Sequence, residues 1–276
     1  MNDTINHNEY KDSTFHHDSL SKRQRLILTM VNKQGFVTIE VLANYFNVTP
    51  QTIRRDINRL CDDQLLQRHH GGASRSSSVE NVDYSTRKNI LNLEKQRIAE
   101  MVAKQIPDRA SLFINLGTTT EEVAKSLANH KKLRVITNNL NVALTMSNNK
   151  DCDVIIAGGM VRSRDKGITG EATVEFIRQF KVDFGIIGVS GIDEDGTLLD
   201  YDYHEVRVAR EIINNSRNLF LVTDHTKFTR NAMVRIADIS EIDALFTDKK
   251  PPKAFRDMLK RKDVALFVSE NNEEDV

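Results

Sequence analysis

At 276 residues the chain is long enough for about two domains of roughly 150 residues, with at least one sizeable core, which excludes a wholly disordered protein. Its 39 Lys+Arg are balanced by 39 Asp+Glu, so overall charge points to neither a nucleic-acid nor an acidic partner, and local charge decides. Cys61 and Cys152 make neither a disulfide framework nor a metal-ligand pair, residues 1–20 lack the apolar stretch of a signal peptide, and no apolar run approaches the roughly 20 residues of a membrane span. A soluble, cytoplasmic chain with no membrane partner is expected.

Residues 1–20 carry Lys11 against Asp3, Glu9, Asp12 and Asp18 without periodicity, which predicts a disordered arm. From 21 to 76 nine Lys and Arg face only Glu40, Asp56, Asp62 and Asp63, an excess of about +5 that attracts phosphate backbones. Leu26, Ile27, Met30 and Val31 give a first helix its buried stripe, and Gly35 ends it. In a second helix Leu42, Tyr45 and Phe46 form the apolar face, Ala43 allows close approach, and Asn47 occupies a turn that needs positive φ.

A third helix begins at Thr49-Pro50, an N-cap followed by a residue suited to the first helical position. At about 100° per residue, Ile53, Ile57 and Leu60 share one face. Gln51, Arg55 and Asn58 point the other way, flanked by Thr52, Arg54 and Arg59. Arginine reads guanine, glutamine reads adenine, and threonine meets backbone or a thymine methyl. Leu65 to Arg68 followed by His69-His70-Gly71-Gly72 predicts a strand and a Gly-turned hairpin, the wing of a winged helix-turn-helix. The candidate DNA contacts are therefore Thr49, Gln51, Thr52, Arg54, Arg55, Asn58, Arg59, Arg68, His69 and His70. A helical protein-interaction module with a solvated charged face competes, but leaves the outward Gln/Thr/Arg set and basic wing unexplained. Cys61 is expected in the core, Asp56 is expected to orient an arginine, and His69-His70 lacks further ligands at metal spacing.

The run TPQTIRRDINRL followed by LLQRHHGGA resembles the DNA-binding domain of the DeoR family of bacterial repressors. The resemblance continues over nearly all of 21–268, through VITNNLNVA, GITGEAT, DFGIIGVSGID, DYHEVR, DHTKF and RNAMV. It implies a winged-helix domain joined to an effector domain, operator DNA as partner, and release by a phosphorylated sugar or polyol. For the branch matched, it implies sn-glycerol 3-phosphate and control of glycerol-metabolism genes. A homo-oligomer, dimer or tetramer, is expected, because one small module gives little operator selectivity.

A Ser/Gly/Arg-rich stretch opens a linker placed at 77–90. From 91 to 268, short apolar runs (SLFINLG, LRVITNN, CDVIIAGG, FGIIGVSGI, NLFLVTD, DALFTD, DVALFVS) alternate with helical patterns, which predicts an α/β domain with a mostly parallel sheet. Residues 269–276 read as a frayed acidic tail. In Gly117-Thr118-Thr119-Thr120 an apolar strand ends in glycine, three hydroxyls follow and a helix opens. Helix N–H groups, the positive dipole end and hydroxyls together can hold a phosphate, and an ordinary threonine N-cap fits the same pattern. Other strand ends offer Asn138, Gly158-Gly159, Arg162, Arg164, Gly188, Gly191 and the run Asp224 to Lys227, which can converge on one crevice.

This half also resembles the ribose-5-phosphate isomerase and CoA-transferase superfamily. That resemblance implies that Gly117 to Thr120 hold phosphate, that Lys227 contacts phosphate or sugar oxygens, and that Glu205 stands at the place of the isomerase's catalytic carboxylate. The two isomerase Asp positions appear as Gly188 and Gly191, and IDEDGTLLD lacks the catalytic lysine. Isomerisation needs both an acid and a base, so no catalytic residue is assigned; a sugar-phosphate isomerase with an accessory DNA-binding domain is the alternative. Asp202, His204 and Glu205 lack helical ligand spacing, and no metal or cofactor is assigned.

Overall fold

The computed structural model describes residues 20–62, 65–69, 71–74, 81, 84–228, 230 and 232–269. The chain divides into two units, residues up to 68 with 73–76, and residues 69–72 with 77 onwards.

In the first unit, α1 (Lys22–Gln34) starts at a capping box: Ser21 Oγ accepts from the Gln24 N–H, and the Gln24 side chain accepts from the Ser21 N–H. Gly35 ends the helix at φ 76°. β1 (Phe36–Thr38) leads into α2 (Ile39–Phe46), which is capped by Thr38 and followed by Asn47 at φ 50° and ψ 50°. After α3 (Pro50–Asp62) come β2 (Gln67–His69) and β3 (Gly72–Ser74), and the three strands form a sheet of order β1–β3–β2. Ile27, Val31, Leu42, Ile53, Ile57 and Leu60 lock the three helices together, with Val37, Leu66 and Ala73 sealing the sheet side.

Two residues expected in this core lie outside it: Leu26 is 47% exposed and Tyr45 64%. The contact lines of α1 and α2 are already filled by Ile27 with Val31 and by Leu42 with Ala43, so the wider stripes find nothing to cover them. Cys61 sits half-buried at the core margin. Leu20, expected in a disordered arm, is buried in this core, while residues 1–19 lie outside the described residues.

The second unit contains α4 (Tyr84–Asn89), α5 (Asn92–Ala103), β4 (Ser111–Ile114), α6 (Thr118–Ser126), β5 (Leu133–Thr137), α7 (Leu140–Met146), β6 (Cys152–Ile156), β7 (Met160–Val161), β8 (Ile168–Thr169) and α8 (Glu171–Ile177). It continues with β9 (Val182–Ile187), β10 (Gly191–Ile192), β11 (Thr197–Asp200), α9 (Tyr203–Asn214), β12 (Ser216–Val222), β13 (Val234–Asp238), β14 (Ala244–Thr247), α10 (Lys253–Arg261) and β15 (Ala265–Val268). Seven strands make one parallel sheet of order β15–β14–β12–β9–β4–β5–β6. The small sheet β10–β11–β13 and the pair β7–β8 are antiparallel.

Alternate residues of the strands feed opposite faces, as burial on both sides requires. Phe113 belongs to the core layer that holds Val174, Val208 and Leu259, whereas Leu112 and Ile114 belong to the layer that holds Ile98, Val123 and Val142. Two expectations change. The stretch 77–90, expected to be linker, contains α4. Ser269, placed in the tail, still donates its N–H to the Thr247 carbonyl at 3.0 Å; 270–276 lie outside the described residues. No helix among the described residues is long and apolar enough to cross a membrane.

Strands β4, β5 and β6 step toward one edge of the large sheet, and β9, β12, β14 and β15 toward the other. The winding therefore reverses between β4 and β9, which opens a crevice beyond their carboxyl ends.

Candidate functional site

The outward face of α3 is built as its periodicity requires. Gln51, Arg54, Arg55, Asn58 and Arg59 are exposed, while Ile53, Ile57 and Leu60 are buried. Thr49 Oγ1 accepts from the Thr52 N–H at 3.3 Å and lies 3.0 Å from Thr52 Oγ1, so both hydroxyls are engaged in starting the helix. Asp56 is turned inward, where Arg23 Nε donates to it at 2.5 Å and Gln24 Nε2 at 3.1 Å. Its arginine thus comes from α1, not from α3 itself. Arg68, on β2, donates to Asn58 Oδ1 at 3.0 Å and ties the wing strand to the recognition face. The side chain of His69, and all of His70, lie outside what the structure describes.

In the second unit the loops that follow β4 and β9 carry the two glycines at the reversal point. Gly117, at φ 146°, precedes the first turn of α6 without a side-chain cap, so the helix-opening N–H groups are not covered by a capping side chain. A Cβ at Gly188 would lie 3.7 Å from the Val222 carbonyl, 3.9 Å from the Leu116 carbonyl and 3.9 Å from Thr120 Cγ2. The ends of β4, β9 and β12 therefore meet around Gly188.

The three threonines do not share one role. Thr120 Oγ1 donates to the carbonyls of Asn115 and Gly117, which fixes the loop and leaves that hydroxyl no donor for a ligand. Thr118 and Thr119 open the helix at 8% exposure each. Asn138 is fully buried; its Nδ2 donates to the Ile168 carbonyl while its Oδ1 has no partner, a condition shared with Asn115 Oδ1. Glu121 collects three donors at the mouth of α6: Tyr84 Oη at 2.7 Å, Asn139 Nδ2 at 3.1 Å and Asn141 Nδ2 at 3.0 Å.

Beyond β12, burial drives the Lys227 amine well below the ordinary lysine range, and Arg230, Arg87 and Lys95 push it further against the opposing pull of Asp224. Burial would raise the Asp224 carboxyl, but Lys227 and Lys95 hold it below the usual range. Basic side chains thus gather around the buried Asp224 carboxylate on this side of the crevice. The other side has the reverse imbalance. Arg162 pairs with Asp165 at 2.6 Å, Asp202 at 2.9 Å and Glu205 at 2.5 Å, and Arg164 with Asp202 at 2.8 Å and Glu205 at 3.2 Å. Burial first, then nearby Asp200, pushes the Glu205 carboxyl up to about 7. Two guanidiniums are shared among Asp165, Asp202 and Glu205, and nearby Asp200 adds to the negative charge that keeps the Glu205 carboxyl raised.

Gly117 to Thr119, Asn138 and Lys227 lie at strand ends of the large sheet, Glu205 lies in the first turn of α9 after β11 of the small sheet, and the structure reassigns the Thr120 hydroxyl to the backbone. Sequence reading missed Arg87, Lys95, Arg230 and Asp200 as charges around this crevice.

The N-terminal unit matches a family model described as DeoR-like helix-turn-helix domain over residues 23–79, and the second unit one described as DeoR C terminal sensor domain over residues 92–249. Glycerol-3-phosphate regulon repressor of Escherichia coli is 53% identical over 239 residues, 87% of this chain and 95% of that protein. The chain belongs to the DeoR family.

Other members follow at similar coverage. The Haemophilus influenzae protein of the same title is 53% identical over 84% of this chain and 90% of its own. The HTH-type transcriptional repressor CsqR of Escherichia coli is 39% identical over 91% and 96%. Among solved structures, ribose 5-phosphate isomerase A from Methanocaldococcus jannaschii aligns with a TM-score of 0.38 and 12% identity over 50% of this chain and 55% of its own. The DeoR sensor unit carries glycines at 188 and 191, and a Cβ at Gly191 would collide with the Arg230 carbonyl, so an acidic side chain there has no room.

Proposed function

We propose that this DeoR-family chain is a transcriptional repressor of glycerol and glycerol 3-phosphate metabolism genes, which holds operator DNA through α3 and the wing as a cytoplasmic dimer or tetramer. A phosphorylated polyol, sn-glycerol 3-phosphate, releases it. The observation that carries the effector assignment is the divided charge of the crevice at the β4–β9 reversal. Lys227, Arg230, Arg87 and Lys95 gather around Asp224 on one side, and a phosphate dianion there would favour the charged form of Lys227. Carboxylates outnumber guanidiniums on the other, which suits the hydroxyls of a polyol as hydrogen-bond donors. The titles of the relatives at 53% identity name the same regulon.

An enzyme reading lacks its acid–base pair: Gly188 and Gly191 bear no carboxylate, and Glu205 is held by Arg162 and Arg164. The deciding experiment titrates the full chain onto operator DNA with and without triose, glycerol, pentose and hexose phosphates. Release by sn-glycerol 3-phosphate at lower concentration than by the others is the expected outcome, and indifference to every phosphate overturns the effector assignment. Sedimentation of the full chain as a monomer at micromolar concentration overturns the oligomer.

A further inference from the structure

We propose that Asn81 and residues 84–90 are a wall of the effector crevice, with Arg87 as a phosphate contact and Asn81 and Tyr84 as the positioning residues that fasten it across the strand-end loops. The proposal rests on the effector reading above and adds to it a set of residues and the route by which occupancy reaches the DNA-binding unit.

The fastening is specific. Asn81 uses both ends of its amide: Nδ2 donates to Ser190 Oγ at 3.0 Å, in the loop after β9, and Oδ1 accepts from Arg230 Nη2 at 3.1 Å, in the loop after β12. Tyr84, at the start of α4, donates its hydroxyl to Glu121 Oε2 at 2.7 Å and accepts from Asn141 Nδ2 at 3.0 Å, which engages the openings of α6 and α7 after β4 and β5. The far end of α4 is held from below by Lys95, a lysine only 3% exposed that donates to the carbonyls of Arg87 and Ile90. A cation at these C-terminal carbonyls suits the helix dipole. One short segment is thus tied to the loops after β4, β5, β9 and β12.

Arg87 lies between these anchors, its guanidinium carbon 6.0 Å from the Tyr84 ring centroid. From there its charge is felt by Asp200 and Lys227, residues on opposite sides of the crevice. A phosphate held near Lys227 meets Arg87 as well, and it competes with Asn81 for Arg230. Ligand binding therefore changes the bonds that fasten the segment, and the segment is the covalent continuation of the chain from β3. Differential contact of this kind is what a ligand needs to shift a conformational equilibrium.

The test uses the full chain and two readouts: the dissociation constant of sn-glycerol 3-phosphate by calorimetry without DNA, with inorganic phosphate as a second probe, and the ratio of operator affinities with and without saturating ligand. Arg87→Gln is expected to weaken ligand binding about tenfold, with partial recovery in Arg87→Lys. Tyr84→Phe and Asn81→Ala, which remove no charge, are expected to lower the operator-affinity ratio at least about threefold. Circular dichroism and melting of each variant identify loss of fold, and Arg87→Lys, which keeps charge and length, carries the test if Arg87→Gln fails to fold. A parent protein that responds while Arg87→Gln binds ligand unchanged and Tyr84→Phe keeps the full ratio overturns the segment's role alone. A parent that binds none of the phosphates overturns the effector reading and this proposal together.

Discussion

Asp56 offers a direct test of how the recognition helix is held. It is 7% exposed and joins α3 to α1 through Arg23 Nε at 2.5 Å and Gln24 Nε2 at 3.1 Å. Replacing it by alanine removes two hydrogen bonds to a charged acceptor, worth about 1.5–3 kcal/mol each when one partner is deleted. The Arg23 side chain is 35% exposed and regains water, which moves its share to the lower end. Gln24, at 6% exposure, keeps a stranded donor, while the cost of burying the carboxylate disappears. The balance is a loss of about 3 kcal/mol for Asp56→Ala, and about half of that for Asp56→Asn, which retains an acceptor for Gln24. Hydrogen exchange at the amides of α1 and α3 reads this locally, independently of the second unit. Because Asp56 points away from the exposed face, cognate and altered operators should lose affinity in the same ratio. Unchanged protection of both helices, or relaxed discrimination between operators, refutes this account.

Gln51→Ala and Arg55→Ala, at exposed positions of α3, should each cost about 1–3 kcal/mol on the correct operator and relax discrimination at one base pair, measured by competition among operator variants. Arg68→Ala should weaken binding to all duplexes and reduce the slope of log affinity against log salt by about one. Thr119→Val and Lys227→Ala should bind operator like the parent yet need far more sn-glycerol 3-phosphate for release; an unaltered half-effect concentration in Lys227→Ala removes it from the site. Glu205, raised from 4.5 to about 7, favours the folded state in its protonated form, so its contribution is present below about 4.5 and is lost as pH climbs through 7, at most about 3 kcal/mol. Glu205→Gln should therefore flatten the melting temperature between pH 5 and pH 8, relative to the parent, in a buffered thermal series.

The parallel strands were legible because strands buried on both faces are continuous apolar runs, and α3 because Thr49-Pro50 marks its start and its charged residues remain on the exposed face, opposite Ile53, Ile57 and Leu60. Elements of two or three residues, such as β1 and β7, bury too little to leave a pattern. α7 is seven residues long and announces itself only by Asn139, whose side chain caps it. α4 hid in a polar stretch because Tyr84 is anchored by Glu121 and Asn141, both distant in sequence, while Lys95 of α5 holds its far end. The same distance concealed the ion network: Arg162 and Asp202 are forty positions apart, and only the close approach of their loops makes them partners.

The two binding surfaces differ in how their charges are satisfied, and this bears on how one controls the other. On α3 the residues proposed to read DNA are exposed, as contact with a rigid polyanion requires. In the crevice Arg162 and Arg164 are spent on carboxylates, Arg230 on Asn81, and Lys227 is lowered first by burial and then by Arg230. Under the proposed function, a ligand with one phosphate and several hydroxyls satisfies both sides only by rearranging bonds that the crevice makes with itself. Its binding energy is therefore tied to a change of structure, which is the condition for an effector; a preformed pocket that accepted the same ligand without rearrangement would bind it and transmit nothing. Asn81 and Tyr84, which bond directly to members of that network, are where the rearrangement first meets the chain leading back to the DNA-binding unit.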